Sequence, residues 1–381
     1  MAGLYALLVA VLLFFTSISS LGSIVSRYMR DLGAGVAVSG QVYAVAPLVA
    51  AILRIPVGIA ADRVGSRLFL VAGAAVAAAA GLLAAAAAGA AALAAARGLQ
   101  GAALAFFVAP SIAAAAALGG EMAVRAISLR AAAVSAAMVL GPMLAGVVAD
   151  HAGSRAAFLL SAAAGASAAA AAAWVRMSSR PVFGGPSPGL RDALTPGVAL
   201  AVALAVVDGM GFFAVQSLSQ MSLRDLGYGA SVSGAFQSIL AASGLAARGL
   251  SSRVYAKLGP RRMLAMGFAL EALGLSLLAS RPEPPTAYLA AALQGFGSGT
   301  SIPGEQILVS ISAPRGAGNR AASLYTLGFD VGGALGVFAL SGLAGSAGYA
   351  AAYTAAAAAA VAAGTLSLAA GGRLQRPRGK V

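Results

Sequence analysis

Residues 30–40 read RDLGAGVAVSG, and residues 224–234 read RDLGYGASVSG. Eight of the eleven positions agree at an offset of 194, among them both charges and three glycines. The same offset carries Arg54 onto Arg248, Arg63 onto Lys257, Gly65 onto Gly259 and Arg67 onto Arg261. It also carries the LQG of residues 99–101 onto the LQG of residues 293–295. A shared richness in alanine explains none of these charged and glycine positions, so the chain reads as an internal duplication.

The sequence flanking each copy is apolar. Of 381 residues, 60% are hydrophobic and 9% charged, with a mean hydropathy of +0.90. Soluble domains carry about 25% charged residues, and their helices keep a polar outer face. Here apolar runs of about 20 residues recur, each long enough as a helix to cross roughly 30 Å of hydrocarbon. Twelve spans are predicted, over residues 4–26, 36–60, 68–88, 90–117, 126–149, 156–175, 196–220, 231–254, 262–280, 286–311, 321–344 and 347–370. The first has no basic residue ahead of its apolar core, so it reads as a retained span and not a cleaved signal. Six spans separate each residue from its repeat. An even number restores orientation, so the halves are parallel repeats about an axis along the membrane normal. The expected organisation is an all-α membrane protein of two six-helix bundles, residues 1–176 and 195–372. A Pro-, Gly- and Ser-rich cytoplasmic linker, 177–194, joins them, and a basic tail, 373–381, follows.

The net charge of +14 is unevenly placed. Of the 25 basic residues, 17 fall in loops and tail on the side of the N-terminus, 5 on the other side and 3 within spans. By the positive-inside rule both termini are cytoplasmic, which places the chain in the cytoplasmic (inner) membrane. The basicity is thus a topology signal and points to a lipid bilayer as partner, with no nucleic acid. The chain has no cysteine, and its one histidine, His151, sits in an outer loop, so the usual zinc constellations are unavailable. Neither lysine is followed by Ser or Thr, which excludes a phosphate-binding loop. No enzyme activity and no cofactor is implied.

The stretch GIAADRVGSR, residues 58–67 between spans 2 and 3, resembles the signature loop of the major facilitator superfamily. Gly58, Asp62, Arg63, Gly65 and Arg67 stand at its motif positions. ARGLQGAA, residues 96–103, resembles that family's second motif through Arg97, Gln100 and Gly101. GPMLAG, residues 141–146, resembles the motif of its proton-driven exporters through Gly141, Pro142 and Gly146. In span count, duplication and loop charge the resemblance covers the whole chain. It implies a signature loop that gates the cytoplasmic side, a cavity lined by spans 1, 4, 7 and 10, and a link between Arg97 and proton coupling. Physically, Asp62 can meet a helix N-terminus or nearby basic residues. Gly65 permits the reversal into span 3. The second copy has Ala256 in place of Asp62, so the clamp is expected to be asymmetric.

Ionisable residues inside spans cost roughly 2.5–3.5 kcal/mol each and need a reason to be there. The first half holds Arg54 and Arg97; the second holds Asp208, Arg248, Glu271, Glu305 and Asp330. Asp208 lies near the midplane of span 7, followed by glycines and by Phe212 and Gln216, and reads as a proton or cation site. A buried pairing with an arginine is the plainer reading. In span 10, Gln294, Ser298, Ser301 and Glu305 share one helical face that has to look onto water or protein. Glu305 is expected to line the cytoplasmic half of the pathway, or else that face is a packing ladder. Depth counting puts Arg54 level with Asp330, and the resemblance places spans 2 and 11 in contact, so this pair is expected to hold an inner gate. The same counting pairs Arg248 with Glu271 structurally. Arg97 either supports proton coupling or binds an anionic substrate.

The reading that follows is a secondary transporter with alternating access, taking protons and a small molecule, with no oligomer required. Proton-coupled efflux of a small amphipathic or cationic compound is the first expectation. Uptake of a small nutrient or organic anion on the same fold is the alternative.

Overall fold

The computed structural model describes residues 2–117, 120–175, 193–314 and 317–369. Most of the expected linker and all of the basic tail lie outside these residues, as does the side chain of Asp62. The described chain is helical throughout. Its elements are α1 (Ala2–Asp31), α2 (Val36–Val64), α3 (Ser66–Ala86), α4 (Ala90–Ala116) and α5 (Gly120–Ala173), then α6 (Pro196–Asp225), α7 (Ala230–Ser280), α8 (Thr286–Ser312), α9 (Gly318–Ala347) and α10 (Tyr349–Ala369).

Ten elements stand where twelve spans are expected, and the difference has a local cause. α5 and α7 contain 54 and 51 residues, and each holds one residue of non-helical backbone, Gly153 (φ 83°) and Gly259 (φ 70°). A straight helix of that length would run roughly 80 Å, more than twice a hydrocarbon core. Glycine alone enters this φ region without a steric penalty, so the chain reverses there while helical bonding resumes almost at once. Nine of the described elements are long and apolar enough to cross a membrane, and α8 is the exception. Its apolar run is broken by Gln294, Ser298, Ser301 and Glu305.

Helix starts follow local chemistry. Thr195 caps α6 by accepting from the Val198 amide at 3.3 Å, and Pro196 occupies the first turn, where no amide donor is needed. The Thr195 hydroxyl donates to the Ser312 carbonyl at 2.9 Å, tying this start to the end of α8.

Packing divides by sequence. α1 lies against α5, α3 against α4 and α5, and α2 against α4; α7 lies against α8 and α10, and α6 against α9. The two groups meet where α2 crosses α9, α5 crosses α7 and α1 crosses α6. At the end carrying the RDLG repeats one apolar core runs through both groups, from Leu21 and Tyr43 to Phe236 and Val337. Towards the opposite end there are two separate cores, one around Phe14 and Phe107, the other around Phe268 and Leu264. The molecule is therefore closed at the RDLG end and divided at the other.

In helices this rich in alanine, close approach replaces large side chains as the source of packing. Backbone abuts backbone at Gly209, where an added Cβ would strike the Phe329 carbonyl, and at Gly332, where it would strike that of Val206. Gly342 has open space at the same position. Gly209→Leu is expected to lower stability by about 1–3 kcal/mol through overpacking. Gly342→Ala is expected to be neutral or slightly stabilising. Thermal unfolding of the detergent-purified variants checks both.

Candidate functional site

A cavity of about 250 Å³ lies between the two separate cores, walled by both halves of the chain. The first half contributes Tyr43, Arg54, Arg97, Gln100 and Pro142, among others. The second contributes Phe212, Phe213, Gln216, Gln237, Arg248, Ser298 and Asp330. Phe212 and Phe213 pack edge-on with ring centres 5.4 Å apart, and both lean on Phe329. Gln216 bonds weakly along its own helix to the Phe212 carbonyl at 3.4 Å, leaving its amide at the cavity wall.

Arg97 is held by neutral groups only. Its Nε and Nη2 donate to the Tyr43 carbonyl at 3.2 and 2.6 Å, and its Nη1 donates to Gln100 Oε1. Gln100 in turn donates to the Ile18 carbonyl at 2.7 Å, and the guanidinium lies 4.2 Å from the centre of the Tyr43 ring. This binds α4 to α2 and α1 and fixes a full positive charge at 3% exposure on the cavity wall. Among the described residues no carboxylate oxygen lies within 4.0 Å of Arg97 or of Arg248.

Arg54 does have a partner. It forms an ion pair with Asp330, joining α2 to α9 across the two groups. Arg248, its repeat, does not join Glu271, which corrects the pairing inferred from depth. Arg248 faces the cavity on one side, and the charged group it feels on the other is Asp208. Counting residues gives height in the membrane but not the direction a side chain takes around the helix.

Asp208 and Glu305 are both fully buried, and neither is part of the cavity lining. This corrects the expectation that they face the pathway directly: they stand behind the wall, between α6, α7, α8 and α9. The Ser301 hydroxyl lies 2.6 Å from Asp208 Oδ2 and 2.8 Å from Glu271 Oε1. Tyr325 donates to Glu305 Oε2 at 3.1 Å. Of the polar face on α8, Ser298 alone reaches the cavity, and Gln294 is buried with no hydrogen-bond partner on either amide atom. Ser301 belongs to the polar face read from the sequence, whereas Tyr325 gives no signal there, since a lone tyrosine in an apolar span forms no pattern with its neighbours.

The motifs behave differently from one another. Arg67 donates to the Ala173 carbonyl, tying the start of α3 to the end of α5. Arg63 is exposed, and Gly58 has open space where a Cβ would stand. Gly65 adopts φ 102° at the reversal between α2 and α3. In GPMLAG, Gly141 packs against α1 at Thr16 and Ser19, and its carbonyl accepts from Ser20 at 3.1 Å. Gly146 packs against α7 at Ala230, so this motif sits at a three-helix crossing with Pro142 turned to the cavity.

At the closed end the duplicated motif pairs with itself. Arg30 bonds Asp225 at 3.0 Å and Arg224 bonds Asp31 at 2.8 Å, each arginine taking the aspartate of the other copy. Ser26 and Ser217 lie hydroxyl to hydroxyl at 3.0 Å, and Gln220 donates to the Gly22 carbonyl at 2.9 Å. Asp150 of α5 accepts from the amides of Ala230 and Ser231 at 2.5 and 2.9 Å. It thereby caps the start of α7, whose own N-cap, Gly229, offers no side chain.

The signature of the Major Facilitator Superfamily matches residues 7–269 and 198–380. No curated protein sequence matches the chain. Among solved structures, a mutant of the nucleoside transporter NupG superposes with a TM-score of 0.83 at 14% identity, covering 99% of this chain and 100% of that one. A POT family transporter in complex with a thioalcohol-conjugated peptide gives 0.80 at 14%, covering 98% and 97%. A bacterial homologue of the human lysosomal transporter Spinster, in an inward-facing and occupied conformation, gives 0.79 at 14%, covering 99% and 98%. The chain belongs to the major facilitator superfamily and is a membrane transporter, not an enzyme.

Proposed function

We propose that this transporter carries a small solute bearing an anionic group together with protons, by alternating access between two six-helix bundles. Twelve crossings follow if α5 and α7 are each counted as two spans about Gly153 and Gly259. The positive-inside pattern then makes the RDLG end extracellular, so the cavity here faces the cytoplasm.

The observation that carries the substrate class is the charge of the cavity wall. Arg97 and Arg248 present guanidinium groups with no carboxylate within 4.0 Å, and Asp330 is already engaged by Arg54. A cation entering this space would meet two unneutralised positive charges in a low-dielectric setting, where Coulomb terms are large. A carboxylate or phosphate would supply the missing partner, with the guanidinium forks suited to bidentate contact. The expected efflux of a cationic compound drew on acids lining the cavity; with Asp208 and Glu305 behind the wall, the organic-anion alternative fits better.

Coupling follows from the position of Arg248 between the cavity and Asp208. When Asp208 is ionised, its charge is the counter-ion of Arg248. When Asp208 is protonated, Arg248 is released to a substrate anion. Proton and anion therefore load together, which is symport, and an inward proton gradient drives uptake. The Arg54–Asp330 pair is formed here although the cavity faces the cytoplasm, so in this reading it holds α2 against α9 without closing the inner gate, and the signature loop, with Gly58, Asp62, Arg63, Gly65 and Arg67, closes that end when the cavity faces out.

Flux of a panel of small organic anions and cations into proteoliposomes, with and without an imposed pH gradient, tests this directly. An acidic exterior is expected to drive anion uptake. Arg248→Gln should reduce it about tenfold or more, since a desolvated charge-assisted contact is worth several kcal/mol. Asp208→Asn should leave exchange but abolish the response to the gradient. Cation export driven by the same gradient would restore the efflux reading.

The closed end has a separate test. The chain has no cysteine, so a Ser26→Cys, Ser217→Cys pair is the sole thiol pair present. With hydroxyl oxygens 3.0 Å apart, the two positions are close enough for a disulfide. Oxidation is expected to stop transport and reductant to restore it; transport unaffected by a formed crosslink would show that this end does not need to open.

A further inference from the structure

The Ser301 hydroxyl stands within hydrogen-bonding distance of two carboxylates, at 2.6 Å from Asp208 and 2.8 Å from Glu271. A hydroxyl has one hydrogen and can donate to one acceptor only. At the second contact Ser301 must therefore accept, and the donor can only be a carboxylic O–H. Two ionised carboxylates about a single hydroxyl would leave one oxygen–oxygen contact without a hydrogen. They would also place like charges together in a site with no exposure to water (Asp208 0%, Glu271 1% exposed).

The surroundings are built for a proton. The charged and titratable groups facing the pair are Arg248 from α7, Glu305 from α8 and Tyr325 from α9, and none of the three bonds to it directly. Asp208 keeps its second oxygen, Oδ1, without a partner. Gln294, fully buried, has neither amide atom satisfied. Its Nε2 lies 3.9 Å from where a side chain on Gly211 would begin, and its own Cβ lies 3.4 Å from the corresponding point on Gly274. Gly211 is one turn beyond Asp208 on α6, and Gly274 is one turn beyond Glu271 on α7, so Gln294 lies about one turn from both acids. An amide can donate to a carboxylate and accept from a carboxylic acid, so it can follow either state of the pair.

We propose that Asp208, Ser301 and Glu271 form one proton-binding site in which two carboxyls share a single proton through the hydroxyl. Transfer within it is balanced. As the O–H bond of Glu271 breaks, its proton passes to Ser301 Oγ, and the proton already on Ser301 passes to Asp208. The pair keeps one negative charge throughout, but that charge moves from the Arg248 side to the far side. The site deepens the proton-coupling reading given above and makes Glu271 a member of it.

The test reads protons without needing the substrate. Infrared pH titration of the carboxyl C=O bands is followed in nanodiscs for the full chain and for Glu305→Gln, which removes the buried acid beside the pair; Asp330, also buried, is ion-paired with Arg54. Strongly coupled acids lose their protons in steps that belong to the pair. Glu271→Gln and Asp208→Asn are each expected to delete one step and move the surviving one by more than about one pH unit. Ser301→Ala should also move the steps, Ser301→Thr should restore them, and Ser298→Ala, one turn away on the cavity, should do neither. If either acid variant leaves the surviving step where it was, the carboxyls titrate independently and the sharing is wrong. A shift of the steps when sodium replaces an organic cation would assign the site to a metal cation instead. If the pair titrates as stated but no pH gradient drives flux, the coupling reading fails while the site stands. Coupled flux with independent titration would sink only the shared site. Glu271→Asp and Asp208→Glu, which keep the carboxyl, serve where an amide variant does not fold.

Discussion

A charge held at the depth of lipid hydrocarbon must be given water, a counter-charge or a proton, and the arrangement of this chain follows from how each of its few buried charges meets that demand. Arg54 and Asp330 meet it with each other. Arg97 meets it with carbonyl and amide oxygens and the face of Tyr43, which solvate a guanidinium without cancelling its charge. Asp208 and Glu271 crowd about Ser301, whose hydroxyl lies within hydrogen-bonding distance of both. Arg248 has no carboxylate within 4.0 Å among the described residues and stands between the cavity and Asp208.

The same economy governs the two ends. At the closed end the ion pairs Arg30–Asp225 and Arg224–Asp31 remain partly exposed, with side-chain exposures between 22% and 37%. Exposed pairs of this kind contribute about 0–1 kcal/mol each. Together with the Ser26–Ser217 and Asp150 contacts they bias the closed state by a few kcal/mol. That is the range in which a ligand's differential affinity can reverse the populations. The continuous apolar core beneath, which runs from Leu21 and Tyr43 to Phe236 and Val337, is the larger stabilising term.

What the sequence disclosed, and what it did not, separates along one physical line. Repeated charges and glycines disclosed the duplication, the reversals at Gly65 and Gly259, and the levels at which charges sit. Direction around each helix was not available. Reading it requires a contrast between apolar and polar faces, and helices that are apolar on every side carry none. Arg54 and Asp330 were matched because both spans lie at the contact between halves, where equal depth suffices. Arg248 and Glu271 are also matched in depth yet turn away from each other, one to the cavity and one to Ser301. The crossed pairing of the two RDLG copies was equally hidden, since it depends on an axis running between segments that are 194 residues apart.

The duplication also explains why the two arginines differ. Arg54 and Arg248 occupy equivalent positions, but the acid near Arg54 comes from the other half, and the acid near Arg248 comes from its own. The Arg54–Asp330 pair ties α2 to α9 across the two groups. Arg248 on α7 and Asp208 on α6 both belong to the second half of the chain, so their interaction does not cross between the two groups. The duplication is thus asymmetric in its charges: among the described residues the buried carboxylates Asp208, Glu271, Glu305 and Asp330 all lie in the second half of the chain.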